Sequence, residues 1–87
     1  ENLRAFPYPV RPNYNGLVTI NGLIDGANVK ITDVTGNLVF EEFASGGTLQ
    51  WDTRAFGKHK VASGVYFIVV TGKDQFETKV GKIMIVR

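Results

Sequence analysis

No cysteine occurs in the 87 residues. That absence removes disulfide staples, thiolate zinc sites, CxxC redox chemistry and cysteine nucleophiles together, and it leaves the compartment open. Histidine is almost missing as well. A catalytic triad, a metal site or a proton relay would have to be built around His59, whose neighbours Lys58 and Lys60 oppose a divalent cation by like charge. No apolar run approaches the roughly 18–20 residues that span a bilayer; the longest, Val65 to Val70, has the length of a strand. Carboxylates are sparse, and Asp25, Asp33, Asp52 and Asp74 fall at turns or strand ends, where aspartate bonds nearby backbone amides. A glycosidase would need two carboxylates flanking a cleft. Gly57-Lys58 and Gly72-Lys73 lack the rest of a phosphate-binding loop, there is no GxGxxG, and no Asn-x-Ser/Thr acceptor occurs. No aromatic–basic stripe marks a nucleic-acid module. The sequence therefore predicts a domain that is not an enzyme, with no cofactor, no metal and no nucleic-acid partner.

What is present reads as one all-β domain over residues 1–87. The length leaves no room for a second domain. Hydrophobic residues make up 44% and charged residues 21%, enough apolar material for a packed core rather than a disordered tail. Turn signals recur at Asn15-Gly16, Asp25-Gly26, Thr35-Gly36-Asn37, Ser45-Gly46-Gly47, Phe56-Gly57, Ser63-Gly64 and Gly72-Lys73-Asp74. Between them lie short segments rich in β-branched and aromatic residues. This spacing reads as an all-β sandwich or barrel, and we expect a single antiparallel β-sandwich of about seven strands without a substantial helix.

The expected strands run over Leu3–Phe6, Leu17–Asn21, Asn28–Val34, Asn37–Phe43, Thr48–Trp51, Val65–Thr71 and Phe76–Val86. Val34-Thr35-Gly36-Asn37 predicts a tight hairpin, and Pro7, Pro9 and Pro12 predict an extended connector. The expected core comprises Val29, Ile31, Trp51, Val65, Phe67, Val69, Ile83 and Ile85. The inward set of the fourth strand is open between Leu38 with Phe40 and Val39 with Phe43. Trp51, at a strand end, is expected to plug the sandwich while its N–H finds a loop carbonyl.

Charge is uneven. Residues 1–50 carry Arg4, Arg11 and Lys30 against Glu1, Asp25, Asp33, Glu41 and Glu42, a net −2, whereas seven basic residues against Asp52, Asp74 and Glu77 give residues 51–87 a net +4. The one long connection, Asp52 to Gly64, holds Arg54, Lys58 and Lys60, a cluster able to meet a phosphate or carboxylate. The chain begins at Glu1 rather than methionine and shows no signal peptide, from which we expect a piece of a longer protein or a mature chain.

The order of motifs carries a resemblance. Phe6-Pro7-Tyr8-Pro9-Val10 is followed by Val29-Lys30-Ile31-Thr32-Asp33-Val34-Thr35-Gly36-Asn37-Leu38-Val39, then Trp51-Asp52, Gly57, Val61, Gly64-Val65-Tyr66 and a final Lys82-Ile83-Met84-Ile85-Val86-Arg87. This resembles the C-terminal domains of the type IX secretion system of Bacteroidetes, and the stretch from Trp51 to Tyr66 also resembles the immunoglobulin-like domain of flagellar hook-capping proteins. Pro9 to Gly16 followed by Thr19 to Leu23 is most similar to the terminal domain of PorZ-like proteins. Tyr8 and Thr53 depart from the asparagine and glycine usual at those positions.

The resemblance implies a targeting or interaction module in the periplasm or at the outer-membrane cell surface, peripheral to the membrane. Its implied partners are the type IX secretion machinery, namely the sortase and its outer-membrane partners, and anionic lipopolysaccharide. Lys82, Ile83, Met84, Ile85, Val86 and Arg87 would form the strand that partners recognise, by its edge. Two other roles are open: a cleavable cargo sorting tail, and an immunoglobulin-like spacer in a surface sensor or glycan-active protein.

Overall fold

The computed structural model describes residues 3–74 and 78–87. Within them seven strands form two antiparallel sheets: β1 (Arg4–Phe6), β2 (Val18–Asn21), β3 (Asn28–Thr32), β4 (Leu38–Phe43), β5 (Thr48–Trp51), β6 (Gly64–Thr71) and β7 (Thr78–Ile85). One sheet has the order β1-β2-β5 and the other β4-β3-β6-β7. No helix is found among the described residues, so the expected sandwich is the observed one. The expected start of the last strand at Phe76 lies outside the described residues.

Alternation builds the core. Val18 and Ile20 of β2, Val29 and Ile31 of β3, Leu49 and Trp51 of β5, and Ile83 and Ile85 of β7 all point between the sheets and are buried. The expectation for β6 is corrected. Its core face is Tyr66, Ile68 and Val70, which are buried; Val65, Phe67 and Val69 lie on the opposite face and are only partly covered. Register enforces this, because Tyr66 lies opposite the buried Ile83 while Phe67 lies opposite Lys82.

Neither alternative for β4 holds as a pair. A register shift between Ile31 and Thr32 places Phe40 across from Ile31 and Leu38 across from Thr32. Such a bulge adds one residue to one strand, so Val39 and Phe40 both pack on the core while Leu38 and Phe43 are exposed.

β3 stops at Thr32, two residues short of the expectation, because Asp33 reorganises the turn. Its Oδ1 accepts the Thr35 and Asn37 backbone N–H groups at 2.9 Å each and the Thr35 hydroxyl at 2.8 Å. Gly36 supplies a φ of 92° that the turn needs. The Thr35 hydroxyl, then the Asn37 amide, hold the Asp33 carboxyl below its ordinary value of 3.8. A depressed carboxyl contributes stability above its unfolded value and loses that contribution as pH falls through the folded one. Stability should therefore decline as pH drops below about 3.8. Asp33→Asn should flatten that part of the acid limb in urea unfolding followed across pH.

The corrected β6 face gives a second check. Ile68→Ala should cost about 2–5 kcal/mol in chemical unfolding. Phe67→Ala should cost clearly less, because its ring is only partly covered. The reverse order would restore Phe67 to the core.

Candidate functional site

Trp51 organises the end of the sandwich that carries the long connection. Fully buried, it lies 6.2 Å from Phe40 and 6.1 Å from Tyr66 between ring centroids, in tilted and edge-on geometry that aromatic quadrupoles favour. Its Nε1–H donates to the Arg54 carbonyl at 3.0 Å, the loop acceptor expected from the sequence. The Asp52 carboxylate accepts the Arg54 backbone N–H at 2.9 Å. From there the connection folds into a small hairpin. Ala55 N–H donates to the His59 carbonyl, Lys58 N–H to the Ala55 carbonyl, and Arg54 pairs with Lys60 in an antiparallel bridge.

The sharp reversal falls at Phe56 and Gly57, both with positive φ, 50° and 73°. Such values suit glycine and strain a bulky side chain. Phe56 is nevertheless held there, its N–H donating to the Val39 carbonyl while its ring stands 54% exposed. Thr53 is the second strained residue, with φ 60°, at the position where glycine is usual in the resembling domains.

The predicted cationic residues are thus brought onto one hairpin, with different roles. Lys58 and Lys60 are exposed. Arg54 is half-buried and its Nη1 donates to the Lys58 carbonyl at 2.7 Å, so it ties the hairpin as well as charging it. His59 is exposed beside them.

The predicted recognition strand is split by its own pleat. Ile83 and Ile85 are buried in the core, Val86 is half-buried, and Lys82 and Met84 face outward. Arg87 turns back onto the long connection. Its backbone N–H donates to Ser63 Oγ, its Nε to the Val61 carbonyl, and its Nη2 to the carbonyl and hydroxyl of Thr53. The edge of β7 is also occupied at this end. Val10 N–H donates to the Met84 carbonyl at 2.8 Å, and Val86 N–H donates to the Val10 carbonyl at 2.7 Å, a parallel bridge supplied by the proline-rich connector.

Two features were not foreseen. An open concavity of about 700 Å³ lies at the far end of the four-stranded sheet, lined by Gly26, Asn28, Lys30, Phe43, Thr71 and Lys73. Lys30 donates there to Asn28 Oδ1 and pairs with Glu41 at 3.6 Å. The Arg87 latch also joins residues 24 to 34 positions apart, a contact that no local motif signals. Among the described residues no group of three histidines or carboxylates could hold a metal ion.

Two antiparallel sheets closed at one end by a latched terminal strand and a charged hairpin define an all-β sandwich domain. The CHU_C type IX secretion signal domain model matches residues 8–85, and the chain belongs to that family. Among solved structures, PorZ of Porphyromonas gingivalis superposes with a TM-score of 0.90 at 35% identity. It is described as an essential bacterial surface component of the type IX secretion system. The match covers 98% of this chain and 11% of the PorZ chain, so the present domain spans about a ninth of that protein. No curated protein matches.

The latch generates a prediction. Arg87→Ala leaves the Val61 and Thr53 carbonyls without their side-chain donor, and a hydrogen bond involving a charged group contributes about 1.5–3 kcal/mol. Thermal unfolding should show a loss of that order, and Arg87→Lys should restore only part of it, since an ammonium cannot reproduce the fork. An unchanged melting temperature would remove the latch from the account of stability.

Proposed function

We propose that this chain is a non-catalytic targeting and interaction module of a type IX secretion-associated surface protein of the PorZ kind. In this reading it stays attached to its parent at the outer-membrane surface, works beside the sortase, and contacts anionic lipopolysaccharide through the 52–64 hairpin. The observation that carries the reading is the family match over residues 8–85 together with the PorZ superposition across nearly the whole domain. Lys58 and Lys60 are the contact charges, exposed on a hairpin whose shape Trp51 and Arg54 hold. Repeated phosphate or uronate groups would meet them in a screened, salt-dependent way, because exposed charges act over about 8 Å at physiological ionic strength.

Two measurements test this. Mass spectrometry of the surface-exposed parent should find it intact through Arg87; a parent ending just upstream of Glu1 would make the domain a cargo tail instead. Titration with anionic polysaccharide should show binding that weakens about tenfold or more from low to high salt. The Lys58→Ser/Lys60→Ser pair should weaken binding comparably, and adding Arg54→Ser should weaken it further. Equal affinity for wild type and variants would return the hairpin to the role of a solvated connection.

A further inference from the structure

The two outward faces of this sandwich differ in kind. That of the three-stranded sheet is mostly polar apart from the exposed Phe6, with Thr48 Oγ1 donating to Asn21 Oδ1 and Gln50 Nε2 donating to Thr19 Oγ1 between neighbouring strands. The other is apolar along β6 and β7. Val65 pairs with Met84, Phe67 with Lys82 and Val69 with Val80, so five apolar side chains flank Lys82 along β7 and across on β6, with Lys30 and Thr32 of β3 bordering Val69 and Phe67. Val80 is 64% exposed and Met84 38% exposed. A contiguous apolar patch open to water on a small domain marks a surface that another molecule covers.

We propose that this β6–β7 face is what the type IX machinery reads, and that the surface seated on it is an apolar protein surface carrying a carboxylate opposite Lys82. The proposal deepens the targeting reading above and rests on it. Geometry leaves this face where other parts of the terminal strand are closed. Ile83 and Ile85 are in the core, the Arg87 side chain is turned onto Val61 and Thr53, and Val10 occupies the strand edge at Met84 and Val86. A partner that adds a strand at that edge would have to displace Val10. A partner that lies on the sheet face displaces nothing.

Charge fixes the chemistry of the occupant. Lys82 stands across from Phe67 and between Val80 and Met84 on its own strand. Among the described residues, Glu41 of the sheet ladder is already engaged by Lys30 at 3.6 Å. An apolar surface seated over Lys82 would desolvate an ammonium, which opposes binding unless a counter-charge arrives with the partner. A carboxylate set within an apolar surface meets both demands and selects against partners that lack it.

The test is export of the full-length protein by a type IX-competent cell, measured as the fraction reaching the surface. Val80→Glu/Met84→Glu should lower that fraction by roughly tenfold, and Lys82→Glu, a single change at an exposed position, should do so as well. Val80→Ile/Met84→Leu should export like wild type. Thr48→Glu/Gln50→Glu places the same added charge on the polar face and should leave export within about twofold. Thermal unfolding of each purified variant separates misfolding from lost recognition.

Equal export of all variants, with the wild type dependent on the translocon, would overturn this face while leaving the targeting role intact. Equal loss from the polar-face pair would overturn it too. A dimer in sedimentation that Val80→Glu/Met84→Glu dissociates would assign the patch to a second copy of this chain instead. Export of the wild type that does not need the translocon would overturn the targeting reading and this inference with it.

Discussion

Trp51 is the contact on which the rest of this domain depends. It is the last residue of β5 in one sheet, yet its ring packs against Phe40 and Tyr66 of the other, and its N–H fixes the first turn of the long connection. One side chain therefore joins both layers and a loop. Aromatic pairs contribute about 0.5–1.5 kcal/mol each beyond the area they bury. The larger effect is geometric. The indole holds the Arg54 carbonyl and Arg54 bridges to Lys60, so the hairpin backbone that carries the charges is tied at its base.

The latch at Arg87 works at the same end of the molecule. Its guanidinium satisfies carbonyls of Val61 and Thr53, which belong to the two flanks of the hairpin. Thr53 keeps a left-handed backbone, and its hydroxyl donates to the Asp52 carbonyl while lying 3.4 Å from Arg87 Nη2. A side chain at that strained position is thus tied into the latch. Tyr66 lies close by, donating to the Ala62 carbonyl, and burial raises its pKa above 10.0. The hairpin, the last strand and the aromatic plug form one cooperative corner.

Much of this was legible in the residues, for reasons that can be named. Turn chemistry placed the strands because glycine, asparagine and aspartate have few other reasons to recur so regularly. Trp51 was legible because a buried indole must satisfy its N–H. β6 was misread because Val65-Tyr66-Phe67-Ile68-Val69-Val70 is apolar on both faces, so alternation cannot say which face is inside. Only the pairing of Tyr66 with Ile83, and an acceptor for its hydroxyl at Ala62, resolve the parity. The β4 bulge escaped for a similar reason: one extra residue shifts parity within a strand and leaves no compositional mark. Arg54, Lys58 and Lys60 were legible as a cluster, but the Arg54 hydrogen bond to the Lys58 carbonyl depends on loop geometry. Family membership was readable because five weak motifs occur in a fixed order.

The Val10 bridge closes part of an open sheet edge. β7 is an edge strand, and edge strands offer unpaired backbone groups to other chains. Here the guard over its final residues is a stretch of the connector between β1 and β2, held by two hydrogen bonds and packed through the buried Val10 side chain. With that guard in place, the Met84 carbonyl and the Val86 N–H are already paired and are not offered to another chain.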